Sequence, residues 1–209
     1  MVVIPNGIDT DRFTPDRKAG LRCRASWGVP SSSLAIGVVG RLARIKDHGT
    51  FLRAAAIFSR SRADTRFVCV GSGPDDYLRE LRQLASVLGL SKKMIWLGSL
   101  TEMPAAYNAL DICCSSSFGE GLSNAISEAM ACGVPCVVTD VGDSALVVGD
   151  TGVVVPRRNP QMLAAGLTTL ADRMAQNPAL GGAARWRIES RLSMSALISK
   201  TSEDLLALL

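Results

Sequence analysis

Three observations predict an α/β fold built on a doubly wound, Rossmann-like parallel sheet. Short apolar runs alternate with helix-period segments along most of the 209 residues. Several of those runs are apolar at every position, as expected where helices cover both faces of a sheet. Glycine-containing loops then follow the runs, at the place where such sheets bind ligands.

In chain order, residues 1–30 read as an interdomain connector, because Pro5 to Pro30 is rich in turn formers and charges and holds no convincing strand. Residues 31–176 read as the Rossmann-like domain. Its predicted strands are 35–39, 66–70, 94–97, 111–115, 135–139 and 152–155. Between them, residues 50–60 repeat Phe51, Ala54, Ala55 and Phe58 at helical spacing. Residues 76–88 do the same with Leu78, Leu81, Leu84, Ala85 and Leu88, and turn Arg79, Glu80, Arg82 and Gln83 outward. Residues 177–209 read as a helical segment. Asn177–Pro178 and Gly181–Gly182 are expected to break the chain before a final amphipathic stretch from Ala183 to Leu209.

Composition narrows the function. The chain is 47% hydrophobic and 20% charged, and no apolar run approaches the roughly 20 residues of a membrane span. The net charge of +4 is mild and its cations are scattered, which gives no support to nucleic-acid binding. The six cysteines form no C-x-x-C pair, and the lone histidine, His48, has no cysteine near it in sequence. A reduced, cytoplasmic protein without a metal site is the expectation.

Candidate chemistry lies in the loops after the strands. The first reads Gly40-Arg41-Leu42-Ala43-Arg44-Ile45-Lys46-Asp47. Two cations there could straddle a diphosphate, each charge-assisted hydrogen bond being worth ~1.5–3 kcal/mol. Taken alone, the loop reads more simply as a solvated basic surface. The second, Gly71-Ser72-Gly73-Pro74, lacks the third glycine of a dinucleotide fingerprint, which disfavours a dehydrogenase. The third reads Ser117-Phe118-Gly119-Glu120-Gly121-Leu122-Ser123-Asn124, followed by a short helix over 125–132 and a stop at Gly133. Amides of residues 122–125 at that helix N-terminus form a potential anion site. Glu120 and Glu128 lie on either side of it. They suit a molecule with a diphosphate at its centre and hydroxyls at both ends, such as a nucleotide sugar. The alternative is one loop carboxylate and one exposed helix carboxylate with no shared purpose.

The Glu120–Glu128 element with Gly133-Val134-Pro135 after it resembles the donor-site motif of glycosyltransferase family 4, formerly called group 1. The resemblance continues through Val3-Ile4-Pro5-Asn6-Gly7-Ile8-Asp9, Gly40-Arg41-Leu42 with Lys46-Asp47, and Val70-Gly71-Ser72-Gly73-Pro74. It takes in Leu97-Gly98-Ser99-Leu100, Thr139-Asp140-Val141-Gly142 and Gly149-Asp150-Thr151-Gly152 as well, and so spans nearly all of residues 1–175.

The resemblance implies the second, donor-binding domain of a two-domain GT-B enzyme that transfers sugar with retention of configuration. It implies that Gly40, Arg41, Lys46 and Gly71 line the diphosphate and that Glu120, the candidate catalytic residue, contacts the transferred sugar. The amides of Gly121, Leu122, Ser123 and Asn124 would surround sugar and phosphate, Glu128 would hold the ribose, and Leu100 would lie against the base. No cofactor or metal is implied. The partners implied are a nucleotide-sugar donor, an unidentified acceptor and an N-terminal acceptor domain absent from this sequence. The inner membrane face is open to the full-length enzyme as a peripheral location.

Two departures stand out. Asp143-Ser144-Ala145-Leu146 occupies a region where the family usually has a glutamate, and Trp186 is the final stretch's sole aromatic. The function expected is donor binding for a sugar transfer in cell-surface polysaccharide synthesis. The other readings are a non-catalytic nucleotide-sugar-binding or interaction module and a fragment of a GT-B nucleotide-sugar epimerase.

Overall fold

A computed structural model describes residues 6–206, so Val3, Ile4 and Pro5 of the first motif lie outside the described residues. Six parallel strands, β1 (Leu34–Val39), β2 (Thr65–Val70), β3 (Met94–Gly98), β4 (Ile112–Ser115), β5 (Cys136–Thr139) and β6 (Val153–Val155), form one sheet in the order β3-β2-β1-β4-β5-β6. This is a doubly wound, Rossmann-like sheet, and its strand order reverses between β1 and β4. Every predicted strand is present, with bounds displaced by no more than one residue.

Side chains alternate across the sheet with the strand period of two. Phe67 and Cys69 face one core while Val68 and Val70 face the other. The first core lies under α2 (His48–Phe58), α3 (Asp75–Val87) and α7 (Pro160–Gln176). There Phe67 meets Phe51 and Phe58 edge to face, with centroids 6.1 and 6.4 Å apart. Burial of each ring contributes about 1.5–3 kcal/mol. The second core lies under α4 (Met103–Asn108), α5 (Asn124–Ala131), α6 (Ser144–Val148) and α8 (Leu180–Arg191).

Within the stretch read as a connector, α1 (Arg17–Ser26) forms and packs on α4. Asp16 caps it by accepting from the Ala19 amide at 2.9 Å. Arg24, on its inner side, pairs with Asp111 at 2.7 Å and donates to the carbonyls of Ala109 and Ser33. Asp111 in turn accepts from the Ala35 amide, which ties the helix to the amino end of the sheet.

The C-terminal segment departs from expectation in one respect. Gly181–Gly182 do not break the chain but lie inside α8. A β-carbon at Gly181 would stand 2.4 Å from the Gly133 carbonyl, so glycine here allows α8 to cross close beneath the end of α5. Asn177–Pro178 separate α7 from α8, and a second break lies between α8 and α9 (Met194–Leu206), where Ile8 and Ser193 form a parallel bridge.

Candidate functional site

The point where strand order reverses lies between β1 and β4, and the loops that leave their carboxyl ends face each other there. From β1, Gly40 and Leu42 are held to the next loop by bonds from their amides to the Val70 and Ser72 carbonyls. Gly71 continues this lattice by donating to Gly98 at 2.7 Å. Arg41 projects from it exposed. A 3-10 turn, Arg44–Lys46, leads to Asp47, whose left-handed backbone and carboxylate cap α2 through Thr50.

From β4, the backbone runs through buried Ser116 and Ser117 into the glycine loop. Ser116 Oγ donates to the carbonyls of Lys46 and Asp47, at 2.9 and 3.0 Å, and so pins the first loop to the second. Ser117 Oγ donates to Glu120 Oε1 at 2.8 Å. The same carboxylate oxygen is paired with Lys46 Nζ. Thr139, at the end of β5, donates to the Ser117 carbonyl at 2.6 Å. Gly142 supports the loop from below: a β-carbon there would lie 2.4 Å from the carbonyls of both Glu120 and Gly121.

The glycine loop ends at α5. Ser123 precedes the helix without a side-chain capping bond, so the first-turn amides remain for a ligand or solvent. Leu122 and Leu100 are half-buried against the second core, together with Met103. Gly121 and Asn124 are exposed.

Glu128 occupies a different setting. It accepts a hydrogen bond from the Tyr107 hydroxyl at 2.8 Å. Burial raises its pKa above the ordinary carboxylate value, with the Tyr107 bond and the nearby Arg12 opposing the shift. The two acids therefore differ in kind: Glu120 has a cationic partner and Glu128 a neutral one.

Beneath the crevice, a small cavity is lined by Gly40, Lys46, His48, Ser116, Ser117 and Ser123. His48 is 1% exposed, and neither ring nitrogen has a hydrogen-bond partner. Burial, with Lys46 near it, lowers its pKa to about 4, which leaves the ring neutral at pH 7.

Lys46 and Glu120, 74 residues apart, are thus in contact, while Gly40, Arg41 and Gly71 share one lattice beside them. Sequence reasoning missed Ser116, Tyr107 and the setting of His48, and named Thr139 only as part of a motif. The run Ser115-Ser116-Ser117 directly after an apolar strand was the available signal for the first. Among the described residues no three or more His, Cys, Asp or Glu side chains cluster as metal ligands, and no helix is long and apolar enough to cross a membrane.

The chain is similar to a known family, to curated proteins and to solved structures. Residues 33–173 match a family described as glycosyl transferases, group 1. The chain is 34% identical over 169 residues to a D-inositol 3-phosphate glycosyltransferase of Corynebacterium jeikeium, covering 76% of this chain and 40% of that protein. It is 31% identical over 199 residues to a GDP-mannose-dependent alpha-(1-6)-phosphatidylinositol monomannoside mannosyltransferase of Mycolicibacterium smegmatis, covering 90% and 51%. Its fold matches Anabaena Alr3699/HepE in complex with UDP, with a TM-score of 0.90 at 24% identity over 99% of this chain and 57% of that one. It also matches the C-terminal domain of a group 1 family protein (LpcC) from Francisella tularensis, with a TM-score of 0.76 at 25% identity over 90% of this chain and all of that one. The chain spans about half the length, or somewhat less, of the curated relatives that it matches.

Proposed function

The chain belongs to the group 1 glycosyltransferases, and we propose that it is the donor-binding half of a retaining, family 4 enzyme of GT-B architecture. The observation that carries this reading is the meeting of Lys46 and Glu120 at the reversal of strand order, beside exposed Arg41 and the uncapped start of α5. Such a site offers two cations to a diphosphate and a carboxylate to sugar hydroxyls within one crevice.

In this reading Arg41 and Lys46 neutralise the diphosphate, whose charge grows as the bond to the sugar breaks. Glu120 orients the transferred sugar, and the amides of Gly121, Leu122, Ser123 and Asn124 surround sugar and phosphate. Glu128 takes the ribose, with Tyr107 fixing its carboxylate, and Leu100 lies against the base. Gly40 and Gly71 let the backbone approach the phosphates.

Residues 1–30 and 177–209 would flank the donor domain, at 31–176, and connect it to an acceptor-binding domain. The length of the relatives supports this arrangement, as does the likeness to a solved C-terminal domain. Relatives named for inositol phosphate and phosphatidylinositol mannoside substrates support a role in building cell-envelope glycoconjugates, with cell-surface polysaccharide as the broader class. Transfer requires donor and acceptor to be held together away from water, so this chain alone is expected to bind donor and not to transfer it.

Calorimetry on the chain with UDP, GDP and ADP, and with UDP-glucose, GDP-mannose and ADP-glucose, tests the reading. One nucleotide series should bind, and Arg41→Ala should weaken that binding about tenfold. Absence of binding across the panel, or an Arg41→Ala variant that folds and binds like wild type, would remove the diphosphate from this crevice.

A further inference from the structure

Lys46 and Glu120 satisfy each other when no donor is present, and this has a consequence for which nucleotide the site retains. Both Lys46 Nζ and Ser117 Oγ converge on Glu120 Oε1, and the two charged side chains are only 22% and 12% exposed. A diphosphate entering the crevice competes with Glu120 for the one ammonium. If it wins, Glu120 is left mostly buried, close to a second anion, with Ser117 as its remaining donor. A carboxylate stripped of its counter-charge in a half-buried site is costly unless new donors reach it.

We propose that Glu120, positioned by Ser117, is an internal competitor for Lys46 that makes the site selective for the sugar-charged nucleotide over the discharged one. The inference rests on the donor-binding reading above. A nucleotide sugar brings its own compensation: its diphosphate takes Lys46 while its hydroxyls donate to the freed Glu120. A nucleoside diphosphate brings only the first half of that exchange. It leaves Glu120 without a cation and without hydroxyls, so Glu120 recloses on Lys46 and expels it. The pair therefore resists the empty carrier and yields to the loaded one. The surrounding hydrogen bonds favour exchange over collapse. Ser116 fixes the Lys46 backbone and Thr139 fixes that of Ser117, so the two side chains can part while their loops stay in register.

The exchange predicts a gain on mutation, which a merely structural residue would not give. Glu120→Gln keeps the Ser117 hydrogen bond and removes the charge that holds Lys46. It should bind the nucleoside diphosphate of the active series about fivefold more tightly, the factor that a partly screened ion pair is worth. The same variant should bind the matching nucleotide sugar more weakly, so that the wild-type preference inverts. The gain should vanish when Lys46→Ala is added. Glu120→Ala must show the same gain if Glu120→Gln does not fold, with thermal unfolding as the check on each variant. A glutamine variant that folds and binds the nucleoside diphosphate as wild type does, or less well, overturns the competition and leaves donor binding standing. Failure of the wild-type chain to bind any nucleotide of the panel overturns both readings together.

Discussion

The two rims of the sheet handle charge in opposite ways. At the amino rim, Arg24 has one carboxylate and two carbonyls around its guanidinium, and its partner Asp111 also accepts a backbone amide. Nearby, Arg185 donates to the carbonyls of Thr10, Phe13 and Ala131. At the carboxyl rim, Arg41 is exposed and joins no ion pair among the described residues, and Lys46 has a single carboxylate partner. Charges with every partner supplied by the chain stabilise it. Charges with places left over are available to something else. The incompletely satisfied rim is also the one where the loops leave β1 and β4 on either side of the reversal in strand order.

The amino rim should break hardest. Arg24→Ala leaves Asp111 half-stranded and two carbonyls without a donor, and should cost about 4 kcal/mol of stability in denaturant unfolding. A loss under about 1 kcal/mol would mean that the two rims do not differ as described. Nucleotide binding by the folded fraction should be unchanged.

His48, on the crevice floor, sharpens the contrast from the other side. Its folded pKa of about 4 lies below the ordinary 6.5, so the unfolded chain binds the proton more readily. This contribution to stability is fully present above about pH 6.5 and is lost as pH falls towards 4, by about 3 kcal/mol in total. Stability curves of wild type and His48→Phe, measured from pH 7.5 to 4, should shift relative to each other by that amount, to the disadvantage of wild type, as pH falls. Parallel curves would show that the ring is not held neutral.

The smallest effect is expected at Glu128. Tyr107→Phe removes the hydroxyl from a partly buried carboxylate and should cost about 1 kcal/mol, while raising the Glu128 pKa further above its ordinary range. Titration of Glu128 by carboxyl-carbon NMR in the two proteins checks the direction. An unmoved titration would mean that the hydroxyl is not a partner in solution.

Much of this was legible in the sequence, for identifiable reasons. Strands such as β2 are buried on both faces from Phe67 to Val70, so that run must be apolar, and continuous apolar runs announce themselves. The loops at Gly40 and Glu120 stood out because glycine and charge follow apolar strands at the end of the sheet where ligands bind. By contrast, α1 is hidden. Its inner side is made by Gly20 and the fully paired Arg24 rather than by leucines, so its periodicity looks like a charged loop. Gly181 in α8 misled because close helix crossing and helix breaking call for the same residue. The bonds made by Ser116 and Thr139 were not legible, because a hydroxyl that donates to a distant carbonyl has no pattern in one dimension.

The bridge between Ile8 and Ser193 has a mechanical meaning. The Ile8 amide donates to Leu192 at 2.7 Å and the Met194 amide donates to Ile8 at 3.0 Å, so two points 185 residues apart are held side by side. Traction applied between them is borne first by these two bonds, and only after they rupture does load pass into the sheet. Anything attached near residue 8 and anything resting on α9 would be carried as one lever arm. Because Ile8 is itself buried in the second core, that arm is seated on the six-stranded body.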